Sequence, residues 1–294
     1  MKRNSFKPNI LDVLILLVVS GMITALFFKI HTVMDYQWNW SVISEYLFRY
    51  DPEHGWVPNM LVQGFMMTIR LSIWATILAV ILGTGMGLCK VSEHLYRRLI
   101  SNAYVEMVRN IPPLVLVFIF YFFIGNQIMT ALGVGDMVRS LSPASRYWIG
   151  FFFAPASQFP EFISAVITLG IYEGAYITEI IRSGIESVDK EQWEASYALG
   201  LSKYQQMLYV IMPQAVRRIL PSLAGQFIST IKDSSIVSVI SIQELTFQGM
   251  ELMAATYLTF EVWITITVMY FILTFCCSLL VGQIEIYYRV HLDK

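Results

Sequence analysis

Charge is scarce in this chain: Asp, Glu, Lys and Arg make up 14% of its 294 residues against 56% hydrophobic residues, and the mean hydropathy is +0.59. Soluble domains carry about a quarter of their residues charged, so a wholly water-exposed fold is excluded. Cysteine is nearly absent, and Cys89, Cys276 and Cys277 fall in or beside apolar stretches without metal-ligand spacing. They read as small core or lipid-facing residues. The four histidines, His31, His54, His94 and His291, are scattered, and no His-Glu-x-x-His occurs. No Gly-x-x-x-x-Gly-Lys-(Ser/Thr) occurs either, so any ATP hydrolysis belongs to another polypeptide. The net charge of -1 offers no general basic surface, and nothing points to nucleic acid. Internal repeats, low-complexity tracts and flexible linkers are missing, which leaves no second soluble domain.

What the chain has is long apolar runs. A span needs about 20 residues to cross about 30 Å of hydrocarbon. Runs near Ile10 to Phe28, Val62 to Leu88, Ile111 to Leu132, Phe162 to Ile181, Ile219 to Ile242 and Phe260 to Gly282 predict six. The first follows Lys2, Arg3 and Lys7 like a secretory signal, but it is too long and no small-x-small site follows. It is expected to remain as a helix. The run from Trp148 to Ala156 is too short to span and reads as interfacial or re-entrant. Between Lys29 and Pro58, Trp38, Trp40 and Trp56 with Tyr36, Tyr46 and Tyr50 give the aromatic density of a headgroup-level anchor.

Basic residues set the orientation. Lys2, Arg3, Lys7, Lys90, Arg97, Arg98, Arg109, Arg182, Lys190, Lys203, Arg217, Arg218, Arg289 and Lys294 fall on one side, fourteen of twenty. Lys29, Arg49, Arg139 and Arg146 fall on the other, and Arg70 and Lys232 lie inside spans. Both termini are therefore expected in the cytoplasm. The outer loop from Gln243 to Glu261 has acidic residues and no basic one.

One cytoplasmic loop stands out. From Val188 to Met207, Trp193, Tyr197, Leu201, Tyr204 and Leu208 follow at steps of three or four, which predicts one apolar helical stripe. Asp189, Lys190, Glu191, Gln192, Lys203, Gln205 and Gln206 leave the other side polar. Gly200 falls where a residue tolerant of positive φ lets a first helix end and the chain turn. The expected object is a helix-turn-helix elbow; the stripe alone also fits an amphipathic helix on the inner leaflet.

The residues of the elbow carry a resemblance. Glu194-Ala195-Ser196, Gly200, Val210 and Met212-Pro213 keep the spacing of the cytoplasmic Glu-Ala-Ala loop in permease subunits of bacterial ATP-binding cassette (ABC) importers. Ser196, Val210 and Met212 depart from its commonest residues but are close in size. Tyr172-Glu173-Gly174-Ala175-Tyr176 leading to Glu179 and Arg182-Ser183-Gly184-Ile185 resembles the polar amino-acid branch, similar to permeases for histidine, glutamine and arginine. So do Val108-Arg109-Asn110-Ile111-Pro112-Pro113-Leu114, Leu220-Pro221 and Lys232-Asp233-Ser234-Ser235. The resemblance covers roughly 62–289.

It implies an all-α integral membrane protein: a five-helix importer-permease core over 61–289, with a coupling loop at 186–213, preceded over 1–60 by an added helix and the aromatic segment. It implies an ATPase dimer whose clefts seat the elbow, a second permease subunit, identical or homologous, an extracytoplasmic binding protein and an amino-acid substrate, in the bacterial inner membrane. ATP and Mg would sit on the ATPase subunit, with no cofactor or metal on this chain. Glu194 would supply charge to the docking site, and Trp193, Tyr197 and Tyr204 buried aromatic area, with Ala195, Ser196, Gly200 and Pro213 shaping the elbow.

Ionisable residues inside spans are costly and default to functional candidates. Lys232 lies 14 residues past Arg218, roughly 20 Å along a helix. Lys232 and Asp233, with Ser234 and Ser235, fit either a buried ion pair that fixes packing or contact with a zwitterionic substrate. Glu173, deep and without an obvious local partner, is the better pathway residue. Glu179 and Arg182, three apart, predict a local pair with a structural or gating role, and Arg109 and Pro112 are grouped with them. Gly174 and Gly184 are expected to let helices approach closely. Pro213 and Pro221 bracket the start of the fifth span, as a pivot or as simple helix starts. Two rivals remain at this point. Gly133-Val134-Gly135-Asp136 superficially matches an intramembrane aspartyl protease motif, but without a partnering Tyr-Asp it reads as a turn. An oligomeric channel or ion-coupled secondary carrier would have no need of the elbow.

Overall fold

The computed structural model describes residues 9–33 and 36–292, without the side chains at 30, 31, 33, 124–126 and 284–292. Of the basic residues used for orientation, Lys2, Arg3, Lys7 and Lys294 lie outside the described residues.

Helix α1 (Ile10–Val33) is apolar on every side and none of its membrane-length window is buried by the protein. A helix of that kind has no face to fold against and is solvated by lipid. Helix α2 (Trp40–Leu47) follows, and then a departure from the all-α expectation: strands β1 (Phe48–Asp51) and β2 (Gly55–Pro58) pair antiparallel. Phe48 and Tyr50 alternate with polar residues on β1, Trp56 stands on β2, and Pro52 and Gly55 (φ +71°) supply the turn, which is a hairpin pattern.

Asn59 caps the long helix α3 (Met60–Lys90), accepting from the Met60 N–H at 2.9 Å. The stretch expected as an inner loop is instead helix α4 (Leu95–Asn110), tied to α3 by Ser101, whose Oγ donates to the Met86 carbonyl at 2.8 Å. Ile111 is extended, as a residue before proline prefers. At Pro112 the chain bends by 111° into α5 (Pro113–Phe120), which continues as a π-helical run, Tyr121–Met129. Gly133 (φ +61°) opens the short α6 (Val134–Arg139), so of the Gly-x-Gly-Asp stretch expected as a turn only Gly133 lies in one, and Val134, Gly135 and Asp136 are the first turn of a helix. Helix α7 (Pro143–Phe152) exposes Tyr147, Trp148, Phe151 and Phe152 and is held to α3 by Arg70 and Trp74, which donate to the Gly150 and Phe152 carbonyls.

Helix α8 (Phe159–Glu186) is the centre of the molecule. It runs parallel to α3, Leu78 facing Gly170, Gly83 facing Ile177 and Gly87 facing Ile181. The seam is close because these positions carry no side chain: a Cβ on Gly83 would lie 2.6 Å from Ile177 Cγ2. Two expected close approaches are present. A Cβ on Gly174 would meet the Tyr104 hydroxyl at 2.7 Å, and one on Gly184 would meet Ile219 Cγ1 at 2.1 Å.

After α9 (Lys190–Ala198) the backbone stays helical from Lys203 to Ile240 while changing pitch: α10 (Lys203–Gln205), a π-helical turn (Gln206–Ile211), α11 (Met212–Asp233) and a 3-10 run (Ser234–Ile240). Neither Pro213 nor Pro221 ends this column. A proline offers no N–H to the carbonyl four residues earlier, and the wider π turn lies immediately before Pro213. Helix α12 (Leu245–Thr256) and the closing helix α13 (Thr259–Leu292) complete the fold. Four buried clusters form the core among the described residues: Leu71, Ala75, Phe162, Leu169 and Val237 along one half of the α3–α8 seam, Ile177, Ile181, Ile185, Ile211 and Ile219 along the other, Ile43, Leu61, Leu245, Leu252, Val262 and Ile266 at the start of α3, and Val108, Leu116, Tyr172 and Ala175 where α4 and α5 meet α8.

Among the described residues three segments are long and apolar enough to cross a membrane, Ile10–Lys29, Met60–Lys90 and Thr259–Gln283, with a fourth if the bent α4–α5 pair is one span. Helices α8 and α11, with 28 and 22 residues, fall outside that group because Glu161, Glu173, Glu179, Arg182, Arg217, Arg218, Lys232 and Asp233 dilute their apolar character.

Candidate functional site

The elbow is built by local backbone chemistry. Asp189 is extended before α9, and Lys190 Nζ lies 3.2 Å from Glu194 one turn on. At the other end the Leu201 N–H donates to the Ser196 carbonyl (3.3 Å) and the Gly200 N–H to the Tyr197 carbonyl (2.9 Å). With Gly200 at φ +74° this is a Schellman turn. Two residues later Ser202 and Gln205 bond reciprocally as a capping box that opens α10. Ser196 is buried, and its Oγ donates to the Trp193 carbonyl at 2.9 Å, so a hydroxyl is tolerated where the family pattern has alanine.

The single apolar stripe expected across Trp193, Tyr197, Leu201, Tyr204 and Leu208 does not form: α9 ends before Leu201, and the Schellman turn resets the helical phase ahead of Tyr204 and Leu208. Trp193 packs inward against the Val188, Ile211 and Ala215 cluster. Tyr197 and Tyr204 are 76% and 74% exposed, together with Leu199 and Tyr209. Glu194 stands among them, with Lys190 as its one ion-pair partner among the described residues. The elbow is braced to the body at three points. Gln214 Nε2 donates to Gln192 Oε1 at 3.2 Å, Arg218 reaches Asp189 at 3.7 Å and the Ser187 carbonyl, and Lys203 pairs with Glu93 between α3 and α4. The hydrogen bond and charge of Lys203 hold the Glu93 carboxyl below its ordinary pKa.

A second constellation lies inside the helix bundle. Glu173, midway along α8, is fully buried; Gln226 of α11 donates to its Oε2, and its Oε1 has no partner among the described residues. Thr230 and Asp233 adjoin it. The local pairing considered for Lys232 and Asp233 is absent: neither has an ion pair among the described residues. Consecutive residues on a helix point about 100° apart and do not face each other; Lys232 is exposed and Asp233 half-buried. Ser234 and Ser235 donate back to the Ile231 and Lys232 carbonyls (2.8 and 2.7 Å) where α11 tightens into its 3-10 run.

The Glu179–Arg182 pair forms, with Arg182 Nε 2.8 Å from Glu179 Oε2. Glu179 also binds Lys90 from α3, and Arg182 binds Glu186, so four residues tie the ends of α3 and α8. Arg109, at the end of α4, places its guanidinium 5.3 Å from the Tyr176 ring centre. The Tyr176 hydroxyl in turn lies 3.3 Å from that of Tyr172. Pro112 marks the bend that leads away from Arg109.

Sequence reasoning used Lys90 only as an orientation marker and passed over Gln226, Glu186 and Tyr104. It also treated the acidic residues between Gln243 and Glu261 as loop charges, yet Glu244 and Glu261 are fully buried. Glu244 caps α12, accepting from the Thr246 and Phe247 N–H groups and from the Tyr270 hydroxyl. Glu261 accepts from the Asn39 N–H at 2.7 Å and from the Tyr36 hydroxyl. A carboxylate one residue before an apolar helical run was the available signal for Glu244.

Residues 77–286 match the family model described as a binding-protein-dependent transport system inner membrane component. The chain is 30% identical over 227 residues to the probable glutamine ABC transporter permease protein GlnM of Bacillus subtilis, covering 77% of this chain and 92% of that one. It is 31% identical over 226 residues to the glutamine transport system permease protein GlnP of Escherichia coli, covering 77% and 91%. Among solved structures, a chain of an amino acid ABC transporter crystallised with histidines superposes with a TM-score of 0.65 at 31% identity, over 85% of this chain and 99% of that one. The MetNI methionine ABC transporter in an inward-facing conformation shares the fold, with a TM-score of 0.59 at 17% identity.

Proposed function

The chain belongs to the binding-protein-dependent inner membrane component family, the permease subunits of ABC importers whose ATP is hydrolysed on a separate subunit, and on that premise we propose that it moves a polar amino acid through the bacterial cytoplasmic membrane. The observation that carries the reading is the elbow: a turn locked by Gly200 that displays Glu194, Tyr197, Leu199 and Tyr204 while Trp193 is keyed into the core shared by α8 and α11. Docked in a cleft of an ATPase subunit, such a piece converts closure of an ATPase dimer into rigid-body movement of α8 and α11. ATP and Mg then belong to the ATPase, and this chain holds no metal or cofactor of its own.

The remaining assignments follow from that role. Six spans with both termini in the cytoplasm suit the parallel run of α3 and α8, because two parallel helices of one membrane protein have an odd number of crossings between them and the bent α4–α5 pair supplies one. Residues 61–289 are the permease core and 1–60 an addition to it. Glu173, with Gln226 and Asp233 of α11 and with Lys232, Ser234 and Ser235 around the junction of α11 and the 3-10 run, lines the pathway, and Lys90, Glu179, Arg182 and Arg109 hold its helices. A second permease subunit completes the pathway, and an extracytoplasmic binding protein delivers the substrate. A channel or ion-coupled carrier has no use for the elbow.

The test is uptake into proteoliposomes containing this chain and every subunit that co-purifies with it, with the binding protein outside and ATP inside. Accumulation of labelled glutamine, histidine or arginine that stops when ATP is omitted, at a clamped ion gradient, is the expected result. Uptake that continues without ATP overturns the reading.

A further inference from the structure

Every ladder pair of the β1–β2 hairpin is defined: Phe48 opposite Pro58, Arg49 opposite Val57, Tyr50 opposite Trp56 and Asp51 opposite Gly55. Successive side chains on a strand point to opposite faces, so Phe48, Tyr50, Trp56 and Pro58 share one face. That face is uncovered. Tyr50 is 67% and Trp56 72% exposed, their rings edge to face at 5.8 Å, while on the other face Asp51, Gly55 and Val57 are half-buried and Arg49 is exposed. The tip is polar and closed on itself, with Asp51 Oδ1 accepting from the Glu53 and His54 N–H groups at 2.8 and 3.0 Å.

The surroundings name the occupant. The three segments that, among the described residues, are apolar enough to cross a membrane unaided meet at this end of the molecule: α1 ends there, and α3 and α13 begin there. An aromatic band connects them. Phe27 of α1 stacks on Trp38 (6.1 Å), Trp38 stacks on Trp40 (5.8 Å), and Tyr36 and Trp38 both abut Phe260 at the start of α13 (4.9 and 5.9 Å). Such a level, where apolar helices leave the hydrocarbon, is where Trp and Tyr concentrate because their rings have an apolar body and a polar edge. Helix α1, uncovered by protein, brings lipid to this side.

We infer that the aromatic face of the hairpin rests in the phospholipid headgroup layer, and that the segment from Tyr36 to Pro58 is a lipid-seated collar. The collar is fastened to α13 by Glu261, buried and bonded to Asn39 and Tyr36, and to α3 by Ile43 packed with Leu61. It holds the adjoining ends of α3 and α13 at fixed membrane depth. This inference requires only that these helices cross the bilayer, not that the transported solute is an amino acid.

The experiment places a nitroxide at Tyr50→Cys and, separately, at Glu53→Cys, in the assembled transporter with Cys89, Cys276 and Cys277 replaced by serine, in phosphatidylethanolamine and phosphatidylglycerol nanodiscs. Collision with oxygen, which partitions into lipid, is compared with collision with a water-soluble nickel chelate. Position 50 is expected to favour oxygen and position 53 nickel, with no change when the binding protein is added. Nickel access at position 50 equal to that at 53 overturns the inference, and so does nickel protection that appears only with the binding protein, which would make the face a protein docking surface. A second measurement keeps the native cysteines: in discs of brominated lipid, the tryptophan emission removed by Trp56→Phe is expected to be already quenched. Unquenched emission from Trp56 contradicts the collar.

Discussion

Gly184→Ala tests whether α8 and α11 move as one piece. The added methyl would sit 2.1 Å from Ile219 Cγ1 and 2.7 Å from Cδ1. Carbon atoms in contact prefer about 3.5–4.0 Å, so the overlap exceeds about 1 Å. Ile219 is buried and branched at Cβ, which leaves it few rotamers to escape into. The helices must part, and overpacking of this kind costs about 1–3 kcal/mol. Parting them also loosens Glu173 from Gln226 further along the same pair. Purified complex carrying Gly184→Ala is expected to unfold at lower temperature and to show reduced uptake in proteoliposomes. Ile219→Ala alone also destabilises, by about 2–5 kcal/mol through the cavity it leaves. The double variant fits the new methyl into that cavity, so its loss is smaller than the sum of the single losses, a coupling in the range of about 0.5–3 kcal/mol. Wild-type melting and uptake for Gly184→Ala, or strictly additive losses in the double variant, would refute the packing argument.

Four further outcomes are expected. Glu194→Lys should abolish ATP-driven uptake without lowering the melting temperature, because the exposed pair with Lys190 contributes less than about 1 kcal/mol; full uptake in that variant removes the docking role. Gly200→Ala places a side chain at φ +74° at a cost of roughly 1–2 kcal/mol, and should weaken retention of the ATPase subunit during purification, with Gly200→Asn milder; equal retention for all three proteins contradicts it. Glu173→Gln keeps a hydrogen-bonding group beside Gln226 but removes the buried carboxyl group whose Oε1 has no partner among the described residues. It should lower uptake while leaving assembly and melting intact, and unchanged uptake excludes Glu173 from the pathway. Glu179→Gln strips Lys90 and Arg182 of their shared carboxylate, which should cost about 1.5–3 kcal/mol for charged hydrogen bonds and appear as a lower melting temperature.

Helices whose fate is decided by lipid or by local spacing were legible in the sequence. The apolar runs gave α1, α3 and α13, the three-residue spacing gave Glu179 with Arg182, and glycine at position 200 gave the turn. Elements decided by tertiary contacts were not. Helix α4 carries Arg97, Arg98 and Arg109 and reads as a basic loop, yet Tyr104 seats it against α8 by donating to the Ile171 carbonyl. Gln226 became the partner of Glu173 only through the crossing of α11 on α8, which no spacing within either helix encodes. The broken stripe of the elbow has a local cause: a helical wheel drawn through Gly200 assumes a constant 100° per residue, and the left-handed residue resets that count. The hairpin was hidden because its aromatics suit an interfacial helix and an interfacial ribbon equally well.

The π-helical turn from Gln206 to Ile211 fixes an angular phase between the two ends of the column it interrupts. A π turn holds roughly one residue more than an α turn, and each residue of an α-helix advances the azimuth by about 100°. Removing one residue there would let the turn relax to α geometry and rotate the elbow by about a quarter of a revolution relative to Gln226, Thr230 and Asp233. Tyr204 and Tyr209 would then point along a different bearing although every residue on either side kept its identity. The alignment between the elbow and the membrane end of the column is thus set by a residue count.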